Sequence, residues 1–122
     1  MEIAELIERL EKATGPDRKL DDDIAISHGW TFEKMKRDAR PYWREPGQTE
    51  WFARSRSGPP AYTSSIDAAL TLVPEGMDWS ISSYGGTFIH PGNDAPVIRG
   101  EGRTPVLTLC VAALRARIDD ND

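Results

Sequence analysis

At 122 residues, with 39% hydrophobic and 29% charged side chains, the chain has the proportions of one domain built on one core, spanning residues 1–122. No apolar run approaches the roughly 18 residues a membrane span needs, and the N-terminus alternates acidic and apolar residues where a secretory signal would be basic and then uninterruptedly apolar. Cys110, the single cysteine, excludes an internal disulfide and cannot by itself hold zinc; a soluble protein of the reducing cytoplasm, with no membrane partner, is expected.

The net charge of -5 conceals an asymmetry. Residues 34–57 hold seven basic side chains (Lys34, Lys36, Arg37, Arg40, Arg44, Arg54, Arg56) against Asp38, Glu45 and Glu50, leaving everything else strongly acidic. Asp21, Asp22, Asp23 and the tail Asp119, Asp120 and Asp122 argue against a protein that coats nucleic acid. An anion would have to meet the central segment.

In chain order, Ile3, Leu6, Ile7 and Leu10 line one stripe of a helix that Gly15 and Pro16 stop. Asp17 is placed to cap a second helix carrying Leu20 and Ile24, with Gly29 ending it in the left-handed conformation, so the two form a helical hairpin. Thr31 to about Asp38 reads as a third helical stretch, closed off by Pro41 and Pro46. Residues 34–60 read as an irregular basic and aromatic excursion, with strand near Trp51. Ser64 caps the next helix, with Ile66, Ala69, Leu70 and Val73 on its buried face and Pro74 and Gly76 at its end. Trp79, Ile81 and Ser83 alternate as the buried face of a strand, Gly85 and Gly86 turn the chain, Thr87 to Ile89 return, and Val97 and Ile98 begin a third antiparallel strand. Thr104 and Pro105 open a last helix to Ile118, with Leu107, Cys110, Val111, Leu114 and Ile118 on its stripe and Arg115 and Arg117 at its negative end.

Three stretches, Leu6 to Ala25, YTSSIDAALTLVP from Tyr62 to Pro74 and TPVLTLCVAALRAR from Thr104 to Arg117, together resemble the phage ABA sandwich domain family of phages and prophage regions. The resemblance is thin between Phe32 and Gly58. It implies an α+β fold of three layers, helix, antiparallel sheet and helix, closed by a buried C-terminal helix, and a phage or prophage origin in a bacterial cell. It supplies no catalytic set and no ligand.

The residues offer little chemistry beyond this. His28 and His90 are the two histidines; His28 sits at a helix end whose dipole favours its protonated form, and His90 precedes a Pro-Gly turn. His90 with Asp94 is too few ligands for a metal, Cys110 falls on an apolar stripe, and the Ser64, Ser65, Asp67 spacing is explained by capping. Gly100 and Gly102, ahead of a helix N-terminus, admit an anion site with Arg103 beside it, although they match no nucleotide-binding fingerprint.

Trp43, Arg44, Trp51, Arg54 and Arg56 mix stacking surfaces with bidentate donors, the residue types that dominate binding interfaces. Covering an edge of the core accounts for the same aromatics. With the phage or prophage origin that the resemblance implies, the sequence reads as a non-enzymatic accessory protein, without cofactor or metal, that binds an unidentified protein through Trp43, Arg44, Trp51, Arg54, Arg56 and Arg103. The alternatives are a binder that sequesters a phosphorylated nucleotide signal through the same residues and an uncharacterised small enzyme. Homo-oligomerisation is left open.

Overall fold

The computed structural model describes residues 2–34, 41–47, 58–82, 86–92 and 95–120 and is α+β. The first helix, α1 (Ile3–Lys12), buries Leu6, Ile7 and Leu10 and places the Glu5–Arg9 and Glu8–Lys12 pairs on its solvent face. Asp17 caps α2 (Arg18–Ser27), its side chain accepting from the Lys19 and Leu20 amides at 2.9 and 3.4 Å. Gly29, at φ +94°, ends it: Gly29 N donates to Ile26 O and Trp30 N to Ala25 O, the paired bonds of a Schellman closure. α1 and α2 pack as the expected hairpin.

The next element corrects the reading of a third helix from Thr31. Residues 31–34 are a strand, β1 (Thr31–Lys34), paired antiparallel with β2 (Pro41–Arg44) in the register Thr31↔Arg44 and Phe32↔Trp43. Its cause lies across the ladder. Trp43 is buried and its ring meets that of Phe32 at 5.0 Å in a tilted arrangement, a cross-strand pair that a helix would separate. Pro41 stands at the first position of β2, where the missing N–H breaks no interior rung. The strand expected near Trp51 lies outside the described residues.

The helix after the central segment, α3 (Ile66–Leu70), is capped by Ser65, whose hydroxyl accepts from Ala68 N at 3.2 Å, and not by Ser64, whose hydroxyl turns back to Ala61 O. With only five residues α3 sustains no stripe. Ala69 and the following Leu72 are buried, whereas Ile66, expected inside, is largely exposed.

A three-stranded antiparallel sheet follows, β3 (Asp78–Ile81), β4 (Thr87–His90) and β5 (Ile98–Gly100), in the order β3-β4-β5. The rows Trp79–Ile89–Ile98 and Ile81–Thr87–Gly100 share one face, against which α4 (Pro105–Asp120) packs over β4 and β5. Trp79, expected to be buried, is 43% exposed because it stands on β3, beyond the strands that α4 covers. Val97 falls just before β5 and is also exposed.

Every residue of α4 from Leu107 to Leu114 is buried, so the helix is covered all round and not along a single stripe. Thr104 caps it, accepting from Leu107 N at 3.1 Å. α1 and α3 also pack against it. The described contacts therefore run sheet, α4, α1; the helix–sheet–helix order implied by the resemblance is not among them. None of the described helices is long and apolar enough to cross a membrane.

Candidate functional site

Arg18 at the start of α2 and Trp30 just beyond its end line one surface with Glu45 and Pro46, which follow β2, and with the residues from Gly58 to Tyr62. Asp21 is the buried anchor. Its carboxylate accepts from Thr63 N at 2.7 Å and from Arg18 Nη1 at 2.9 Å, while Thr63 Oγ1 exchanges hydrogen bonds with the Asp17 backbone. Arg18 also donates through Nη2 to Pro59 O at 3.0 Å. These bonds tie the 58–63 strap to the first turn of α2, across more than 40 residues of sequence.

Gly58, at φ +51°, runs through a narrow gap: a β-carbon there would stand 3.4 Å from Arg18 Nη2 and 3.8 Å from the indole nitrogen of Trp43. Beside the strap opens a cleft of about 740 Å³ whose described lining includes Arg18, Trp30, Glu45, Pro46 and Tyr62. Burial pushes the Tyr62 hydroxyl above the usual tyrosine range; the Trp30 indole N–H beside it opposes that shift, and the nearby charges of Asp21 and Glu45 add to it.

Of the six residues that the sequence singles out, Trp43 is spent beneath the surface, 7% exposed between Phe32 and Gly58. Arg44 is half-buried, its Nε donating to Thr31 Oγ1 at 3.2 Å across the hairpin. Trp51, Arg54 and Arg56 lie outside the described residues. Arg103 is exposed ahead of α4 and lines none of the described pockets, so no described contact joins it to Trp43 or Arg44. The glycines near it serve packing: a β-carbon on Gly100 would stand 2.1 Å from Thr108 O, and one on Gly102 would stand 3.1 Å from Leu107 Cβ.

The reactive groups take directions of their own. Cys110 donates its thiol to Tyr62 O at 3.2 Å, and burial pushes it up to about 12, which keeps it protonated at neutral pH. His28 caps α2 at its C-terminus, yet its imidazole is held below the usual histidine range, first by burial and then by the Arg117 guanidinium, against a hydrogen bond to Ile24 O. Desolvation thus outweighs the dipole effect expected there. No group of three or more potential metal ligands occurs among the described residues.

Sequence reasoning missed Arg18, Trp30, Glu45 and Tyr62 as neighbours. The one local signal was Trp30 directly after the helix-ending glycine, a position that commonly folds back on the helix it leaves. Comparisons with protein-family models, curated proteins and solved structures find no match for the chain.

Proposed function

We propose that this chain is a non-enzymatic phage or prophage accessory protein that binds a protein partner through the surface formed by the β1–β2 hairpin and the cleft beside it. The observation that carries the reading is the exposed Phe32 on the β1–β2 hairpin together with the cleft lined by Trp30 and Glu45, the residues that flank the hairpin in the chain, and by Tyr62. Phe32 keeps 43% of its surface exposed beside the buried Trp43, and an exposed aromatic backed by a buried one has the make-up of an interface hot spot; Arg44 stands on the other face of the ladder with Thr31, so the hairpin also offers an arginine. A phosphorylated ligand fits the cleft less well, because Glu45 places a carboxylate in the lining.

A photo-crosslinking amino acid at position 32 tests the reading, with the same group at Glu8 on the solvent face of α1 as control. Position 32 is expected to trap a defined protein in phage-infected or lysogenic cells. With that partner purified, Phe32→Ala and Arg44→Ala should each weaken binding by about tenfold while leaving the melting temperature near that of the parent. Equal trapping at positions 8 and 32, or undiminished binding by both variants, would refute the assignment.

A further inference from the structure

A second concavity lies apart from that cleft. It is a groove of about 640 Å³ between the C-terminal half of α4, the start of β5 and the connection that precedes it. Met77, Pro96, Val97, Ile98 and Ile118 make its walls apolar, and it falls in the size range of sites that enclose small organic ligands. Arg115 supplies the polar end. Its guanidinium is fixed in place by donating from Nη1 to Arg99 O at 2.7 Å and from Nη2 to Glu11 at 3.0 Å.

Those two bonds use two of the five N–H groups that an arginine carries. Arg99 also lines the groove, but its guanidinium lies over the Phe88 ring, 5.7 Å from the centroid, and 3.9 Å from Glu101. No carboxylate is among the described lining residues. In a chain of net charge -5 this is an apolar hole whose described charged lining is arginine alone. We infer that the groove is a binding site for a medium-chain monocarboxylate, its aliphatic tail between Val97 and Ile118 and its carboxylate on the remaining donors of Arg115.

Decanoate and decan-1-ol, titrated below micelle-forming concentrations into the full chain, separate recognition of the head group from apolar filling. Amide and methyl NMR signals of Met77, Val97, Ile98 and Ile118 should shift with decanoate, which is expected to bind about tenfold more tightly than the alcohol, as a charge-assisted hydrogen bond would give. Arg115→Gln should abolish that preference. Because Arg115 also holds Glu11, Val97→Asp provides an independent arm: Val97 is exposed, so the fold should persist while decanoate binding falls more than decanol binding. Equal affinity for acid and alcohol, or shifts of these signals on dilution alone, as a second copy seated in the groove would cause, would overturn the inference.

Discussion

Cys110 shows how one side chain is recruited for folding. Its thiol lies on α4 with no exposed surface and donates to the carbonyl of Tyr62, so it joins the last helix to the strap that frames the cleft. Burial raises it from its ordinary 9.0 to about 12, and the sign of the consequence follows. Between those values the unfolded chain has lost the thiol proton and the folded chain retains it. The stabilisation that this linkage represents is therefore complete below pH 9 and is lost as pH rises toward 12, at a slope of up to about 1.4 kcal/mol per pH unit. Comparison with Cys110→Ala isolates the effect, since Tyr62 and the other groups titrating at high pH are common to both proteins. The stability gap between parent and variant should stay level from pH 6 to 8 and then narrow above pH 9 in denaturant melts. A gap that remains level to pH 11 would mean that the thiol ionises in place at its ordinary pH.

At the level of elements, the contact between β5 and α4 depends on a missing side chain. A β-carbon on Gly100 would stand 2.1 Å from Thr108 O and 2.5 Å from Ala112 N, both backbone atoms of a helix that is itself buried. Gly100→Ala must push the strand off the helix and disturb the nearby Thr87–Thr108 hydroxyl bond of 2.8 Å, so a loss of about 3 kcal/mol is expected, at the upper end of overpacking costs. Gly15→Ala, with nothing within 4 Å and no left-handed backbone, should change stability by less than about 0.5 kcal/mol in the same chemical denaturation series. If the two variants matched, the tight approach of β5 to α4 would be disproved. The same elements show what the sequence discloses. Caps and stripes are local, so α1, α2 and α4 were legible from Asp17, Gly29, Thr104 and the spacing of Leu6, Ile7 and Leu10. β1 was not, because Thr31 to Lys34 carries no period of its own and becomes a strand through Trp43, eleven residues after Phe32. Ser64 and Ser65 offer the same chemistry one residue apart, and only the geometry of the preceding turn chooses between them. The cleft was hidden for a related reason: Arg18 and Pro59, or Trp30 and Tyr62, meet through tertiary contacts that leave no spacing to read.

Over the whole molecule, stability should be divided unequally. The contiguous buried cluster joins α1, α2, α3, the three-stranded sheet and α4, and it includes neither Trp43 nor Phe32. The hairpin is thus attached to a core that does not need it, through Trp43 beneath Gly58 and Gly29 against Pro46. Segments with few buried apolar contacts open at lower free energy than the global transition, and binding surfaces are commonly drawn from them. Native-state hydrogen exchange tests this division. Amides of Leu109 to Leu114 and of Ile89 should exchange only through global unfolding, with a common dependence on denaturant, whereas those of Phe32 and Trp43 should exchange through a smaller opening with a weaker dependence. Trp43→Ala should then lower protection across the β1–β2 ladder by at least about tenfold while changing global stability by less than Leu109→Ala, for which about 2–5 kcal/mol is expected from a fully buried site. Collapse of protection in α4 on the Trp43 substitution would instead make the hairpin part of the core, and the surface proposed for the partner would then have no freedom to adjust to it.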